Sequence, residues 1–94
     1  MPYSPDSYAK TAYSAHALIR MQQRGVSQEA VELILDYACP APAGNGALTY
    51  QFNNETWAEA AQSLGRRAKQ FEKYRHAYII ENGCGLVITA AWAH

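Results

Sequence analysis

Cysteine is scarce in this chain, and long apolar runs and net charge are absent from it. Its two cysteines, Cys39 and Cys84, form no Cys-x-x-Cys motif, so the sequence encodes neither a zinc ribbon nor a redox dithiol. A secreted domain this small usually carries four or more cysteines, so reduced thiols are predicted, with a single bridge as the alternative. No apolar stretch approaches the roughly 18 residues of a membrane span, and the polar N-terminus lacks the apolar core of a signal peptide. We therefore expect a cytoplasmic protein with no membrane partner.

Length and charge bound the fold further. The 94 residues predict a single domain over residues 1–94, with one core and no large internal cavity. An apolar content of 49% argues against disorder. Eight Lys and Arg balance eight Asp and Glu, whereas a nucleic-acid-binding domain is usually basic overall.

The first part of the chain predicts a helical hairpin. Residues 1–12 are punctuated by proline and serine and are predicted to form a loose arm, whose end is suited to a short edge strand. Ser14 and Ser27 are predicted to cap two helices, the second over residues 28–38. Gly25 stands where the first helix needs a left-handed terminating residue. Helices joined by so short a loop are expected to pack together.

The later segments are predicted from turn residues and hydrophobic periodicity. They are a loop over 40–46, a strand over 47–52, a helix over 55–73 capped by Asn54, and strands over 74–81 and 86–92. The fold class is therefore α+β: an N-terminal helical hairpin packed on a small antiparallel β-sheet, with an extra helix before the C-terminal β-hairpin.

The C-terminal hairpin has the clearest turn signal. Asn82-Gly83 is typical of a tight two-residue turn, which would pair Ile79 with Leu86. Counting outward predicts two faces, the first almost wholly apolar and the second mixed. The apolar face contains Ala77, Ile79, Leu86, Ile88, Ala90 and Trp92; the mixed face contains Tyr74, His76, Tyr78, Val87 and Thr89. The mixed face is either an open working surface or a surface packed under a helix or the N-terminal arm.

A stripe on the first helix has the chemistry of a phosphate site. His16, Arg20 and Arg24 are spaced i, i+4 and i+8, so they share one side of the helix. Arginine presents a planar fork that matches phosphate oxygens. A histidine near the positive end of a helix is disfavoured as imidazolium, and a neutral imidazole is suited to act as a general base. The alternative is that the arginines pair with Glu32 and Asp36 of the second helix.

The zero net charge hides a local asymmetry. Residues 28–62 contain five acids and no Lys or Arg, whereas residues 66–75 contain five bases against the single acid Glu72. Tyr74 and Tyr78 adjoin the basic run, and aromatic side chains beside cations suit stacked single-stranded bases. The alternative is an ordinary solvated helix face.

The two predicted helices also carry a motif at fixed spacing. It reads His16-Ala17-x-x-Arg20-x-x-x-Arg24-Gly25-Val26-Ser27, followed by Val31 and Ile34-Leu35. This motif resembles the opening signature of a bacterial family of small proteins, the domain-of-unknown-function family 4258, and the late Val87-Ile88-Thr89 strand fits the same family. The architecture of that family is similar to the RelE/ParE-type toxin fold. The predicted helix over 55–73 departs from the pattern.

The resemblance implies a metal-independent endoribonuclease of a bacterial toxin–antitoxin type. Cleavage through the 2′-hydroxyl needs a base, an acid and cations for the phosphorane. The candidate catalytic residues are His16, His76 and Thr89, and the candidate phosphate- or RNA-binding residues are Arg20, Arg24, Arg75 and Tyr78. The strand count places Arg75 on the core side of the sheet. This weakens Arg75 as a phosphate-binding candidate unless it lies at the rim.

The alternative is a non-catalytic protein-interaction module with a toxin-like fold, which would bind through the extra helix or a sheet edge. The three histidines lack metal-ligand spacing, so neither a metal nor another cofactor is expected. The expected partners are RNA, a cognate antitoxin or another protein, and a second copy of the chain.

Overall fold

The computed structural model describes residues 11–93, which form an α+β fold, as predicted. The elements are β1 (Ala12–Tyr13), α1 (Ala15–Arg24), α2 (Gln28–Tyr37), β2 (Pro40–Gly44), β3 (Ala47–Gln51), α3 (Asn54–Leu64), α4 (Ala68–Phe71), β4 (Ala77–Glu81) and β5 (Leu86–Trp92). Two 3-10 segments, Gly65–Arg67 and Glu72–His76, flank α4. Most of the predicted arm over 1–12 lies outside the described residues.

The sheet is mixed, whereas the sequence predicted an antiparallel one. Its strand order is β1-β5-β4-β3-β2. The four later strands pair antiparallel, but β1 runs parallel to β5, with Ala12 opposite Leu86 and Tyr13 opposite Val87. A parallel pair needs a long crossover connection, and the whole chain between β1 and β5 provides it.

The capping residues place α1 and α2 as predicted. The Ser14 side chain accepts the N–H of Ala17 at 2.9 Å, and the Ser27 side chain accepts the N–H of Ala30 at 3.1 Å. Between them Gly25 ends α1 with a φ of 71°. The helices do not chiefly pack on each other: α1 packs along β5, whereas α2 packs against β3, β4 and α3. The buried residues of both helices nevertheless belong to one hydrophobic core.

The segment over 40–46 is a hairpin, not the predicted loop. Asn45 and Gly46 both have positive φ, 53° and 81°, as a type I′ turn requires. The turn joins β2 to β3, and β2 is an edge strand. Pro40 and Pro42 are tolerated there because an edge strand has one side on which no N–H is needed.

The predicted helix over 55–73 is several shorter segments, so the order of helical elements differs from the prediction. The chain runs through α3, a 3-10 segment, α4 and a second 3-10 segment, with the break at Gly65, whose φ is 61°. The cap of α3 is Asn53, not Asn54. Its side chain accepts the N–H of Thr56 at 2.7 Å, and the Thr56 hydroxyl accepts the N–H of Asn53 at 2.9 Å.

The β4–β5 loop is longer than the predicted two-residue turn. It spans residues 82–85, and the Asn82 side chain accepts the N–H groups of Cys84 and Leu86 at 2.8 and 3.0 Å. Ile79 consequently pairs with Ala90 and not with Leu86. The partner of Ile79 is shifted by four residues from the predicted one, an even number, so the faces near the start of β4 are those predicted.

A bulge in β5 changes the faces near the loop. Ile80 pairs with Thr89 but Glu81 pairs with Val87, so Ile88 is the extra residue. Val87 is therefore fully buried, whereas the prediction put it on the mixed face. Leu86 and Ile88, predicted for the core, are only half-buried.

The core lies between the sheet and the helices. Its largest fully buried side chains are Val31 and Ile34 from α2, Ile79 from β4 and Val87 from β5. Burying each contributes about 1.5–3 kcal/mol by the hydrophobic effect. These contacts fix the face of β4 and β5 that points inward, and they leave the alternating residues on the opposite face.

Candidate functional site

A pocket of about 360 Å³ lies where the C-terminus of α1 meets the end of β5. Its lining residues are Arg24, Tyr78, Ala91 and Trp92. Two of them, Arg24 and Tyr78, are sequence-predicted RNA-binding residues that come from distant parts of the chain. The fold thus brings an arginine and two aromatic side chains to one opening.

Arg24 is anchored to β5 by both its side chain and its backbone. Its guanidinium donates to the carbonyl of Ala90 at 3.3 Å, and its own carbonyl accepts the indole N–H of Trp92 at 2.8 Å. The Ala90 carbonyl is accessible because β1 pairs only with Leu86 and Val87 of that strand. A guanidinium has five N–H donors, so most of them remain for an anion.

Aromatic stacking holds the wall of the pocket. Tyr74 is 6% exposed, and its ring stacks on Trp92 with centroids 5.5 Å apart and an interplanar angle of 14°. The Tyr74 hydroxyl donates to the carbonyl of Gly25 at 3.2 Å. Together with the Trp92 hydrogen bond, this contact ties the α1–α2 turn to the sheet and fixes the indole.

Tyr78 belongs to the sheet face opposite the core. It pairs with Ala91 on β5 and with Gln51 on β3, and in the next row Ile80 pairs with Thr89. Tyr78, Ile80 and Thr89 are half-buried, whereas Ala77 and Ile79, which alternate with them, have no exposed surface. Tyr78 and Thr89 therefore share one face, as the sequence predicted, and that face is partly open.

The structure does not bring the two candidate catalytic histidines together. His16 lies in the first turn of α1, which starts beside Val87 because the Ser14 N–H donates to the Val87 carbonyl at 3.0 Å. His76 lies at the other end of β5, where its carbonyl accepts the N–H of Ala93. The strand residues between those two points span roughly 16 Å. The pair is too far apart for a concerted acid–base step, and His76 is the one at the pocket end.

Along α1, the predicted cationic stripe is present. The Arg20 Nε donates to the His16 Nε2 at 3.3 Å, and this contact is exposed. Within residues 11–93 the arginines of α1 form no ion pair with the acids of α2; Glu32 accepts instead from the Tyr13 hydroxyl at 3.3 Å.

Arg75 faces α3 and not the pocket. Its guanidinium donates to the Asn54 side chain at 3.1 Å, lies 5.9 Å from the Trp57 ring centroid and approaches Glu72 at 4.0 Å. These contacts connect the segment before β4 to the start of α3. They explain Arg75 as a structural residue.

Burial raises the pKa of three side chains that lie outside the pocket. The pKa of Tyr13 lies well above its usual range because the ring is partly buried and its hydroxyl faces Glu32. The pKa of Tyr50 is raised by burial and by the nearby charge of Glu81, and burial raises the pKa of Asp36. The two tyrosines consequently remain neutral hydrogen-bond donors at ordinary pH.

Trp92 is the pocket residue that sequence reasoning did not select. The strand count placed it on the apolar face, where a tryptophan is expected to be core. Its chemistry offered a signal. An indole N–H needs a hydrogen-bond acceptor, and a tryptophan at a strand end commonly keeps one edge of its ring accessible.

No metal-binding cluster of three His, Cys, Asp or Glu side chains occurs within residues 11–93. None of the helices in that range has the length and apolar character needed to cross a bilayer. Comparison with known protein families, curated proteins and solved structures finds no match to this chain.

Proposed function

We propose that this protein is a toxin-like, metal-independent endoribonuclease with a RelE/ParE-like fold, which binds single-stranded RNA at the pocket of Arg24, Tyr78 and Trp92. The observation that carries the proposal is that an anchored arginine and two aromatic side chains line one opening. A cation beside aromatic surfaces is the general pattern of single-strand recognition, since bases stack while phosphates pair with the cation.

The pocket has the size and chemistry for one nucleotide. Its volume of about 360 Å³ lies at the lower end of small-ligand sites. A base stacked on Trp92 or Tyr78 contributes about 1–3 kcal/mol, and the free N–H groups of Arg24 pair with the phosphate. Because the Trp92 indole is held by its hydrogen bond to the Arg24 carbonyl, the stacking surface is formed before RNA arrives.

The stripe on α1 extends this site. His16, Arg20 and Arg24 follow one another every four residues, about 6 Å apart along the helix axis. That spacing suits successive phosphates of an extended strand. Arg20 therefore acts as a second phosphate contact, and His16 binds at the far end of the stripe.

The chemistry at the pocket end is a transesterification. His76 accepts the proton of the 2′-hydroxyl, whose oxygen attacks the adjacent phosphorus and forms the 2′,3′-cyclic phosphate. The bond from phosphorus to the 5′-oxygen breaks, and the Tyr78 hydroxyl supplies the proton that this oxygen needs. Arg24 stabilises the extra negative charge of the phosphorane. Thr89, one row further along the same face, positions the strand.

The test uses a labelled RNA 12-mer in EDTA, with cleavage and binding measured separately. We expect Arg24→Gln to weaken binding, His76→Ala to abolish cleavage, and Tyr78→Phe to slow cleavage while it keeps the stacking surface. Arg67→Gln is the charge-matched control, because Arg67 is exposed and paired with Glu29 at 2.6 Å. Cleavage that survives His76→Ala but not His16→Ala would move the reaction to the other end of α1.

A non-catalytic interaction module with the same fold is the second candidate. Leu18 and Ile19 on α1 are 42% and 53% exposed, which suits contact with a protein such as a cognate antitoxin or a second copy. The separation of the two histidines favours it as well. If the purified protein neither cleaves RNA in EDTA nor binds it in a salt-sensitive manner, this candidate replaces the endoribonuclease.

A further inference from the structure

We propose that the RNA path continues from the pocket onto a basic ridge formed by Arg66, Lys69 and Lys73, so that a strand longer than the pocket is held at two places. This inference rests on the proposed function, because it concerns how the same RNA leaves the same pocket. It assigns a role to the segment between α3 and β4, which the reaction at the pocket does not use.

The ridge is a single exposed side of a helical segment. Arg66, Lys69 and Lys73 are spaced i, i+3 and i+7 through the consecutive segments Gly65–Arg67, Ala68–Phe71 and Glu72–His76. Residues at this spacing lie on one side of a helix. All three side chains are exposed. They span about 10–14 Å along the segment, enough for two or three phosphates of an extended strand.

The charges of the ridge are not neutralised by the rest of the fold. Arg67 is paired with Glu29, and Arg75 approaches Glu72. In the part of the chain that the structure describes, Arg66, Lys69 and Lys73 have no such ion pair. Repulsion among three neighbouring cations destabilises the folded state, and a bound polyanion removes that repulsion.

A continuous row of side chains joins the ridge to the pocket. The Lys73 ammonium lies 5.2 Å from the centroid of the Tyr74 ring, and that ring stacks on Trp92. Trp92 in turn lines the pocket and is bonded to Arg24. Lys73 is thus separated from the pocket by two stacked rings, which places it for a phosphate beyond the nucleotides that occupy the pocket.

The charge pattern favours a nucleic acid over an acidic protein segment. The ridge provides cations at intervals, and the pocket next to it provides flat aromatic surface. An acidic peptide uses the cations but has no need of the stacking surface, whereas a single strand uses both.

The test compares a short and a long non-cleavable probe. The probes are a 2′-O-methyl dinucleotide and a 2′-O-methyl 12-mer of mixed sequence, each fluorescently labelled, and binding is measured by anisotropy over a range of salt concentrations. The variant is Lys69→Gln with Lys73→Gln. The slope of log K against log salt for the 12-mer is expected to fall by about 1.4, with about 25-fold weaker binding near 0.1 M salt. Binding of the dinucleotide, which fills only the pocket, is expected to stay the same.

Arg67→Gln is the matched control, because it removes one cation from the same segment that is already paired with Glu29. Arg67→Gln is expected to weaken 12-mer binding by less than half as much, on a logarithmic scale, as Lys69→Gln with Lys73→Gln. If Lys69→Gln with Lys73→Gln unfolds the chain by circular dichroism, Arg66→Gln with Lys69→Gln tests the same ridge.

The outcomes separate this inference from the proposed function. Binding of both probes by the wild-type protein, with no change in the double variant, overturns the ridge and leaves the pocket. Binding of neither probe overturns both. Equal competition by a 12-residue polyglutamate would identify an acidic protein as the ligand of the ridge and overturn RNA there.

Discussion

Gly83 is expected to be the least replaceable residue of the β4–β5 loop. A Cβ built there lies 2.5 Å from the carbonyl oxygen of Gly46, in the turn of the neighbouring hairpin. The φ of Gly83 is 90°. Gly44 provides a matched control, since its φ is 93° but a Cβ there meets nothing within 4 Å. Gly83→Ala and Gly44→Ala thus share the backbone strain and differ in the collision.

The magnitudes follow from these two contributions. Strain at positive φ costs about 1–3 kcal/mol in either variant. The collision adds about 1–3 kcal/mol in Gly83→Ala, because the nearest atom belongs to backbone and the β2–β3 turn must move to make room. Urea denaturation gives the free energies of unfolding. In a domain of this size each kcal/mol lowers the melting temperature by about 4–8 °C.

Equal losses in the two variants, within about 0.5 kcal/mol, would refute the reasoning. The proposed RNA binding serves as an internal check on the location of the damage. The two turns lie at the end of β4 that Glu81 marks, whereas the pocket lies at the Ala77 end. At the proposed RNA site we therefore expect unchanged affinity in Gly83→Ala at a temperature where the variant is folded.

Three further predictions concern other parts of the fold. Burial raises the pKa of Asp36, and the negative end of the α2 dipole also disfavours its charge, so Asp36→Asn should raise the free energy of unfolding at pH 7. The side chain is exposed, so solvent screening keeps this gain small. The gain should vanish in strongly acidic solution, where the carboxyl is protonated. Tyr74→Phe removes the hydrogen bond to Gly25 but keeps the stacked ring, so urea denaturation should show a loss of about 1 kcal/mol. No loss would contradict the role of this hydrogen bond in tying the α1–α2 turn to the sheet. Cys39 and Cys84 are free and exposed, so a thiol reagent should modify both without denaturant.

Local signals predicted much of the fold. The caps at Ser14 and Ser27 and the left-handed Gly25 were confirmed because each depends on a hydrogen bond or dihedral angle within a few residues. The hairpin at Asn45-Gly46 carries the same turn signal as Asn82-Gly83. It was not predicted because the prolines at 40 and 42 were interpreted as marking a loop, although an edge strand accepts them.

Long-range features could not be predicted in the same way. The parallel pairing of β1 with β5 depends on where the whole intervening chain packs. The bulge at Ile88 depends on which of two adjacent apolar residues fills the core better, and Val87 does. Alternation along a strand gives no information on a single-residue shift in register.

The candidate site shows the same division. Helical spacing correctly grouped His16, Arg20 and Arg24 on α1, and alternation correctly grouped Tyr78 with Thr89. Which end of α1 would lie against which end of β5 was not encoded in either pattern. That placement brings Arg24 to Tyr78 and keeps His16 away from His76.

The two edges of the sheet determine how this protein meets others. On β2, Pro40 and Pro42 lack the N–H groups that an incoming strand would need, and on the opposite side β1 is two residues long. Beyond β1, the Arg24 guanidinium already occupies the carbonyl of Ala90. Within residues 11–93 the sheet is therefore closed to strand addition, both by a partner and by another copy polymerising edge to edge. A protein that binds here must recognise a helix or a sheet face through its side chains.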